Sequence, residues 1–284
     1  MNMSANILEI SEIKDPQKVL QVFEGQESTA KLDKYGDLVW DVYQKVFVAA
    51  LILKEDTLAK KCWNRLNDRF NKSPRVDGLY GMYLEATSTF EDALDYYNQK
   101  LFEDSTNTII HKRKLSLLRS VGKLKECING LIEYVDTFYN DIEAWAELAD
   151  LYFSVEAYEK SAFCYEEMLL LQPFEPRIFA KLADLHYVMS RSNPIHLWIS
   201  LKHYCRAVEI CEAYFHAWYG IRQCCEAINK MSKSELKRIQ SRVSEETLKI
   251  LADDSKVEGL LQLSGKMVSK FTSQDQKLQK LLSA

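Results

Sequence analysis

Residues 142–175 read IEAWAELADLYFSVEAYEKSAFCYEEMLLLQPFE. Trp145, Leu148, Ala149 and Tyr152 recur at helical spacing in the first half, and Ser161, Tyr165, Met168 and Pro173 follow in the second. Two short amphipathic helices with bulky and small residues in that order cannot bury their apolar faces alone. Such a unit requires neighbours of the same kind, so the same order should recur along the chain.

It does, at intervals of 34 residues. Upstream of Ser161 the same position holds Cys127, Ala93 and Ala59, all small. Upstream of Tyr165 it holds Leu131, Tyr97 and Trp63, all large and apolar. The first-helix columns are looser: Leu148 aligns with Lys114, Tyr80 and Val46, and Ala149 with Leu115, Gly81 and Phe47. The second helices close near Pro173, Tyr139, Ser105 and Asn71, with Ser73-Pro74 and Asn107 as ordinary helix-ending and N-capping choices. A small residue on the second helix lets the first approach closely, and the bulky residue one turn later fills the space beside it. This is the pattern of the tetratricopeptide repeat, with alanine for the usual glycine at 149 and serine for the usual alanine at 161. The expected fold is all-α, a tetratricopeptide-repeat superhelical solenoid of about five repeats with helical caps at both ends.

Downstream, Phe179, Leu182, Ala183 and His186 fit the next first helix, but the small column resumes only at Ser200, with Tyr204 and Ala207, a step of 39. The surplus falls in SRSNPIH (190–196), a loop composition. The next first helix carries Trp218, after which Ser232 to Ala252 and Val257 to Phe271 are helical in period without the repeat residues. The expected organisation is an N-terminal cap or tail at 1–39 with one helix after Asp15-Pro16, and repeats at 40–73, 74–107, 108–141, 142–175 and 176–214. A C-terminal helical cap would occupy 215–284.

Composition agrees. Among 284 residues, 47% are hydrophobic, enough for a continuous core, while only 9 Gly and 5 Pro leave few tight turns for a many-stranded sheet. A net charge of −4 does not recommend nucleic acid or an anionic membrane surface as partner. The longest apolar run, Val46 to Leu53, is far below the roughly 20 residues of a membrane-spanning helix. The opening MNMSANILEISEIKDP has neither a basic n-region nor an apolar h-region, which predicts a cytosolic chain without a direct membrane span.

The seven cysteines, Cys62, Cys127, Cys164, Cys205, Cys211, Cys224 and Cys225, contain no CxxC pair, so neither a disulfide framework nor a zinc site is expected. Cys62 and Cys164 share a repeat register, which assigns them to packing. No GxSxG, HExxH or P-loop pattern occurs; no catalytic residue, metal or cofactor is expected.

A binding role remains. In such arrays the inner wall is lined by fixed positions of each first helix. Those positions hold Met82 and Glu85, then Lys112, Ser116 and Arg119, then Asp150 and Phe153, then Asp184 and Tyr187. A groove of mixed apolar and charged character suits a peptide or a helix. Residues 142–175 carry eight acidic residues against one lysine, while Lys112, Arg113, Lys114, Arg119, Lys123 and Lys125 make the preceding repeat basic, so a partner with both signs of charge is expected. The alternative is a soluble co-chaperone that clamps chaperone C-termini, but of the clamp residues only Lys112 is in place and the matching asparagine is missing.

EDALDYYNQKLFEDSTNTIIHKRK (91–114), the Gly122-Lys123 turn and EAWAELADLYFSVEAYEKSAFCYEEMLLLQPF (143–174) carry a further likeness. Through these segments the region from about 36 to 220 resembles the family of subunit 2 of the endoplasmic reticulum membrane protein complex, its cytosolic tetratricopeptide component. The STNT-x3-KRK junction is more particular than the repeat framework. The resemblance implies a non-catalytic, peripheral scaffold on the cytoplasmic face of the endoplasmic reticulum. It would act as one member of a hetero-oligomer that inserts tail-anchored and multipass membrane proteins, holding cytosolic segments of the other subunits.

Overall fold

The structure, a computed structural model, describes residues 7–25, 33–231 and 254–282. The described residues form thirteen α-helices and no strand. In chain order these are α1 (Pro16–Glu24), α2 (Val39–Ile52), α3 (Asp56–Arg69), α4 (Pro74–Thr87), α5 (Phe90–Glu103), α6 (Thr108–Ser120) and α7 (Leu124–Thr137). There follow α8 (Ile142–Ser154), α9 (Tyr158–Leu171), α10 (Pro176–Met189), α11 (His196–Ile210), α12 (Phe215–Asn229) and α13 (Asp254–Leu282).

The helix ends have local causes. Proline opens α1, α4 and α10, where its missing N–H costs nothing. Asn107 and Asp141, 34 residues apart, accept from the Ile110 and Ala144 amides at 3.2 Å each, capping α6 and α8. Thr89 and Asp92 form a reciprocal capping box on α5. Gly122 and Glu156, again one period apart, turn the chain between paired helices at φ of 79° and 60°. At 122 glycine takes the left-handed conformation without penalty, and at 156 the tight turn imposes it on a glutamate. The surplus residues at 190–195 connect α10 to α11.

The chain divides into two compact units, Met1–Gly130 and Leu131–Ala284. In the first, Val19, Leu20 and Phe23 of α1 join Val42, Val46 and Phe47 of α2, Ala59, Cys62 and Leu66 of α3, and Val76 and Leu79 of α4 in one core. Each large apolar side chain buried there contributes on the order of 2 kcal/mol. The segment before α1 is held by Lys45, whose ammonium donates to the Leu8 and Ile10 carbonyls at 2.9 Å each and pairs with Glu12. A second cluster gathers Ala93 and Tyr97 with Ile110 and Leu117. In the second unit Leu197, Trp198, Leu201 and Tyr204 of α11 meet Trp218, Ile221, Cys224 and Cys225 of α12 and Val257 and Val268 of α13. Of the expected terminal elements, residues 1–6, 26–32 and the helical stretch Ser232 to Ala252 lie outside the described residues.

The small column does more than make room. Ala59, Ala93, Cys127, Ser161 and Ser200 are all fully buried. Ser161 donates to the Ala149 carbonyl at 2.9 Å, Ser200 to the Ala183 carbonyl at 2.8 Å, and the Cys127 thiol to the Leu115 carbonyl at 3.4 Å. Each is a weak polar stitch from the second helix to a carbonyl of the first, at one register.

Candidate partner-binding site

The bulky column organises the expected groove. Tyr97, Tyr165 and Tyr204 occupy one repeat register, which holds Leu131 in the intervening repeat and Trp63 in the first. Leu131 is buried and Trp63 half-buried, its indole donating to the Val76 carbonyl at 3.3 Å. The three tyrosines are buried rings whose hydroxyls donate to an acid on a first helix. Tyr97 reaches Glu85 at 2.5 Å, Tyr165 reaches Asp150 at 3.4 Å, and Tyr204 reaches Asp184 at 2.5 Å. Burial, then the neighbouring carboxylate, raises the pKa of all three phenols. Tyr165 is pushed up to about 12. All three therefore keep their protons and donate to the acids, and the Tyr97 oxygen also accepts from Arg113.

Two of the acids also take a base from the following first helix. Glu85 pairs with Arg113 of α6, and Asp184 with His216 of α12 at 2.9 Å. Burial works against the Arg113 charge; Glu85 and Tyr97 together outweigh it, so its pKa is raised. Beneath two of the three tyrosines, Tyr97 and Tyr204, the close approach is made by a glycine. A side chain at Gly81 would run into the Tyr97 ring, and one at Gly220 into the Tyr204 ring.

In the first unit, then, Met82 is half-buried against the core, Glu85 is committed to Tyr97 and Arg113, Lys112 is half-buried, and Ser116 and Arg119 are exposed. In the second, Asp150 and Phe153 are exposed, with Phe153 edge-on to Tyr158 at 5.6 Å. Asp184 is committed to Tyr204 and His216, and Tyr187 is half-buried against the core. Trp145 is buried with its indole donating to the Tyr139 carbonyl at 2.8 Å, and Trp218 repeats this bond to Glu212 at 2.7 Å. Tyr152 is half-buried, and Pro173 is exposed in the turn after α9.

Three clefts lie beside these helices. The first unit has one of about 440 Å³ lined by Trp40, Asp41, Gln44, Phe70 and Arg75. Trp40 meets Phe70 edge-on at 5.3 Å, and Arg75 pairs with Asp41 at 3.1 Å. Asp41 and Gln44 hold the positions expected to line an inner wall in the expected repeat at 40–73, for which sequence reasoning named no groove residue. Their positions in the repeat could have found them. In the second unit a mostly apolar cleft of about 390 Å³ lies between α7, α8 and α9. Another, of about 420 Å³, reaches His196 beside the connection at 190–195.

His196 belongs to a stacked column. His186 and His196 face each other Nδ1 to Nδ1 at 3.0 Å, so one nitrogen donates and the other accepts, and His203 stacks on His186 with ring centres 5.6 Å apart. Burial, reinforced by the other imidazoles, pushes His186 down to about 4; burial and then Lys202 push His203 to about 4. Cys164, Cys224 and Cys225 are pushed up to about 12, chiefly by burial, which leaves them as thiols. Among the described residues no three His, Cys, Asp or Glu side chains are grouped as metal ligands.

The comparisons bear on what this surface serves. Residues 65–196 match the family model described as the EMC2 TPR-like repeat domain, and ER membrane protein complex subunit 2-A of Xenopus laevis is 35% identical over 188 residues, 66% of this chain and 63% of its own. The chain belongs to the EMC2 family. A second relative, TPR repeat protein oca3 of Schizosaccharomyces pombe, is 59% identical over 280 residues, 99% of both chains. Among solved structures, the C-terminal part of a TPR repeat-containing protein from Cytophaga hutchinsonii matches 84% of this chain and 100% of its own with a TM-score of 0.52 at 15% identity, which establishes the tetratricopeptide fold. All nine expected groove residues, Met82 to Tyr187, fall inside the EMC2 domain, whereas Tyr204 and His216 fall beyond it. No helix among the described residues is long and apolar enough to cross a membrane.

Proposed function

We propose that the chain is a scaffold subunit of the endoplasmic reticulum membrane protein complex, docked on its cytoplasmic face, and that it supports insertion of tail-anchored and multipass proteins. Membership of the EMC2 family carries this reading. The chain works by holding partner segments rather than by chemistry: Cys164, Cys224 and Cys225 and the phenols of Tyr97, Tyr165 and Tyr204 are held in their protonated forms, chiefly by burial, and each unit offers exposed first-helix residues to a partner, Ser116 and Arg119 in the first and Asp150 and Phe153 in the second. Within each unit the committed acid, Glu85 in the first and Asp184 in the second, ties neighbouring helices together. Attachment to the membrane comes through the integral subunits of the complex.

The test is insertion of a tail-anchored reporter in cells that lack the chain. Insertion falls on removal, wild type restores it, and Arg119→Glu with Phe153→Glu restores it poorly although the protein stays folded. Insertion that is indifferent to removal of the chain contradicts the reading.

A further inference from the structure

The outer face of the second unit carries an apolar stripe that the groove does not use. Phe163, Leu170 and Phe174 are 53%, 76% and 73% exposed. Phe163 and Leu170 lie two turns apart on one side of α9, and Phe174 follows in the turn that leaves it. Exposed single hydrophobics are ordinary; three in a row beside a cleft are not. The cleft of about 390 Å³ opens next to Phe163, with Trp145, Leu148 and Tyr152 as its floor. Phe163 stands edge-on to Trp145, ring centres 6.3 Å apart, so stripe and cleft form one surface. Helical spacing puts Trp145, Leu148 and Tyr152 on one side of α8 and the groove residues Asp150 and Phe153 on another. This is a second face.

Charge decides the occupant. Asp136 and Glu159 rim the cleft and Glu166 flanks the stripe, all exposed. The only lysine of residues 142–175, Lys160, lies over the Tyr152 ring at 5.5 Å. Asp136, Glu159 and Glu166 against that one lysine repel an anionic bilayer and attract a cationic segment. We propose that this face docks a basic amphipathic helix of a partner protein, a bulky apolar side chain filling the cleft beside Phe163 and lysines or arginines meeting Asp136, Glu159 and Glu166. The stripe supplies the apolar seam that such a helix needs along its length, and the acids set its orientation. The inference deepens the scaffold reading by assigning a second partner surface and its chemistry.

The test titrates the full chain into two fluorescent helical peptides with the same leucine and tryptophan face, one flanked by lysines and one by glutamates. The lysine peptide binds, more weakly as salt rises, and Phe163→Asp or Leu170→Asp weakens it by about tenfold or more while helicity and Tm stay unchanged. Glu159→Lys with Glu166→Lys moves the preference toward the glutamate peptide. Equal binding of both peptides, no binding of either, or binding of the lysine peptide untouched by the two aspartate substitutions overturns the proposal. So does flotation with phosphatidylserine vesicles without peptide selectivity, which makes the face a membrane contact. Absence of peptide binding by a wild-type chain that co-purifies with integral membrane subunits refutes this inference alone; selective peptide binding by a wild-type chain without those subunits refutes the scaffold reading alone.

Discussion

In the first unit Tyr97 donates to Glu85, which is held from the next helix by Arg113; in the second, Tyr204 donates to Asp184, which is held by His216. The tyrosines share a repeat register, but the acids do not: Glu85 stands one turn further along its helix than Asp184 does. The longer glutamate lies beside a half-buried guanidinium, the side chains 20% and 30% exposed, whereas Asp184 and His216 are 36% and 51% exposed. One repeat scaffold therefore reaches the same link by two routes. The tyrosine is the fixed element, and removing the acid's basic partner costs more where water is kept away.

The largest effect expected from this comparison is common to both units. Tyr97→Ala and Tyr204→Ala each remove a buried ring and should each cost about 3–5 kcal/mol in urea unfolding. A cost below about 1 kcal/mol for either would break the equivalence. Next, the basic partners of the two acids should separate the units. Arg113→Met leaves Glu85 half-buried without its cation and costs about 2 kcal/mol, whereas His216→Ala stays within about 0.5 kcal/mol because that pair is exposed. Equal losses would mean that exposure does not set their value.

Acid should also act on the units unequally. His186 and His203 bind protons more weakly folded, at about 4, than unfolded, at 6.5. Their contribution is complete above the unfolded value and is lost as pH falls from about 6.5 toward 4, on the order of 2 kcal/mol in total after discounting for partial exposure. Amide exchange between pH 7 and 4.5 should show protection falling first around α10 and α11, and substituting both histidines by glutamine should flatten that loss. The smallest effect is at Asp150, whose bond from Tyr165 is long at 3.4 Å. Asp150→Asn should change unfolding by no more than about 0.5 kcal/mol and can be used to probe the groove without disturbing the fold.

The repeat was legible because a period of 34 residues puts size alone on display: alanine, cysteine or serine in one column and tyrosine, leucine or tryptophan in another. What size does not reveal is where polar atoms go. Ser161 and Cys127 read as small residues, yet both donate to a first-helix carbonyl. Arg113 reads as one member of a basic run; its reach back to Glu85 spans 28 residues, and Gly81 leaves room for the Tyr97 ring whose hydroxyl donates to the same acid. His216 was hidden for a different reason, since the step of 39 residues shifts every later column and separates it from the acid it meets. Of the groove positions, the helix periodicity located Asp150, Phe153, Ser116 and Arg119 on the surface. It could not separate them from Glu85 and Asp184, whose charge is met by the following first helix. The stripe of Phe163, Leu170 and Phe174 went unread because an exposed apolar residue on a helix has the same spelling as a buried one.

A scaffold within the endoplasmic reticulum membrane protein complex, as proposed for this chain, must travel with the integral subunits of that complex. The most direct measurement is affinity purification of the tagged chain from detergent-solubilised membranes, followed by mass spectrometry of what accompanies it. A fixed stoichiometric set of integral membrane subunits is the predicted result. Chaperones alone, recovered from the soluble fraction, would contradict it.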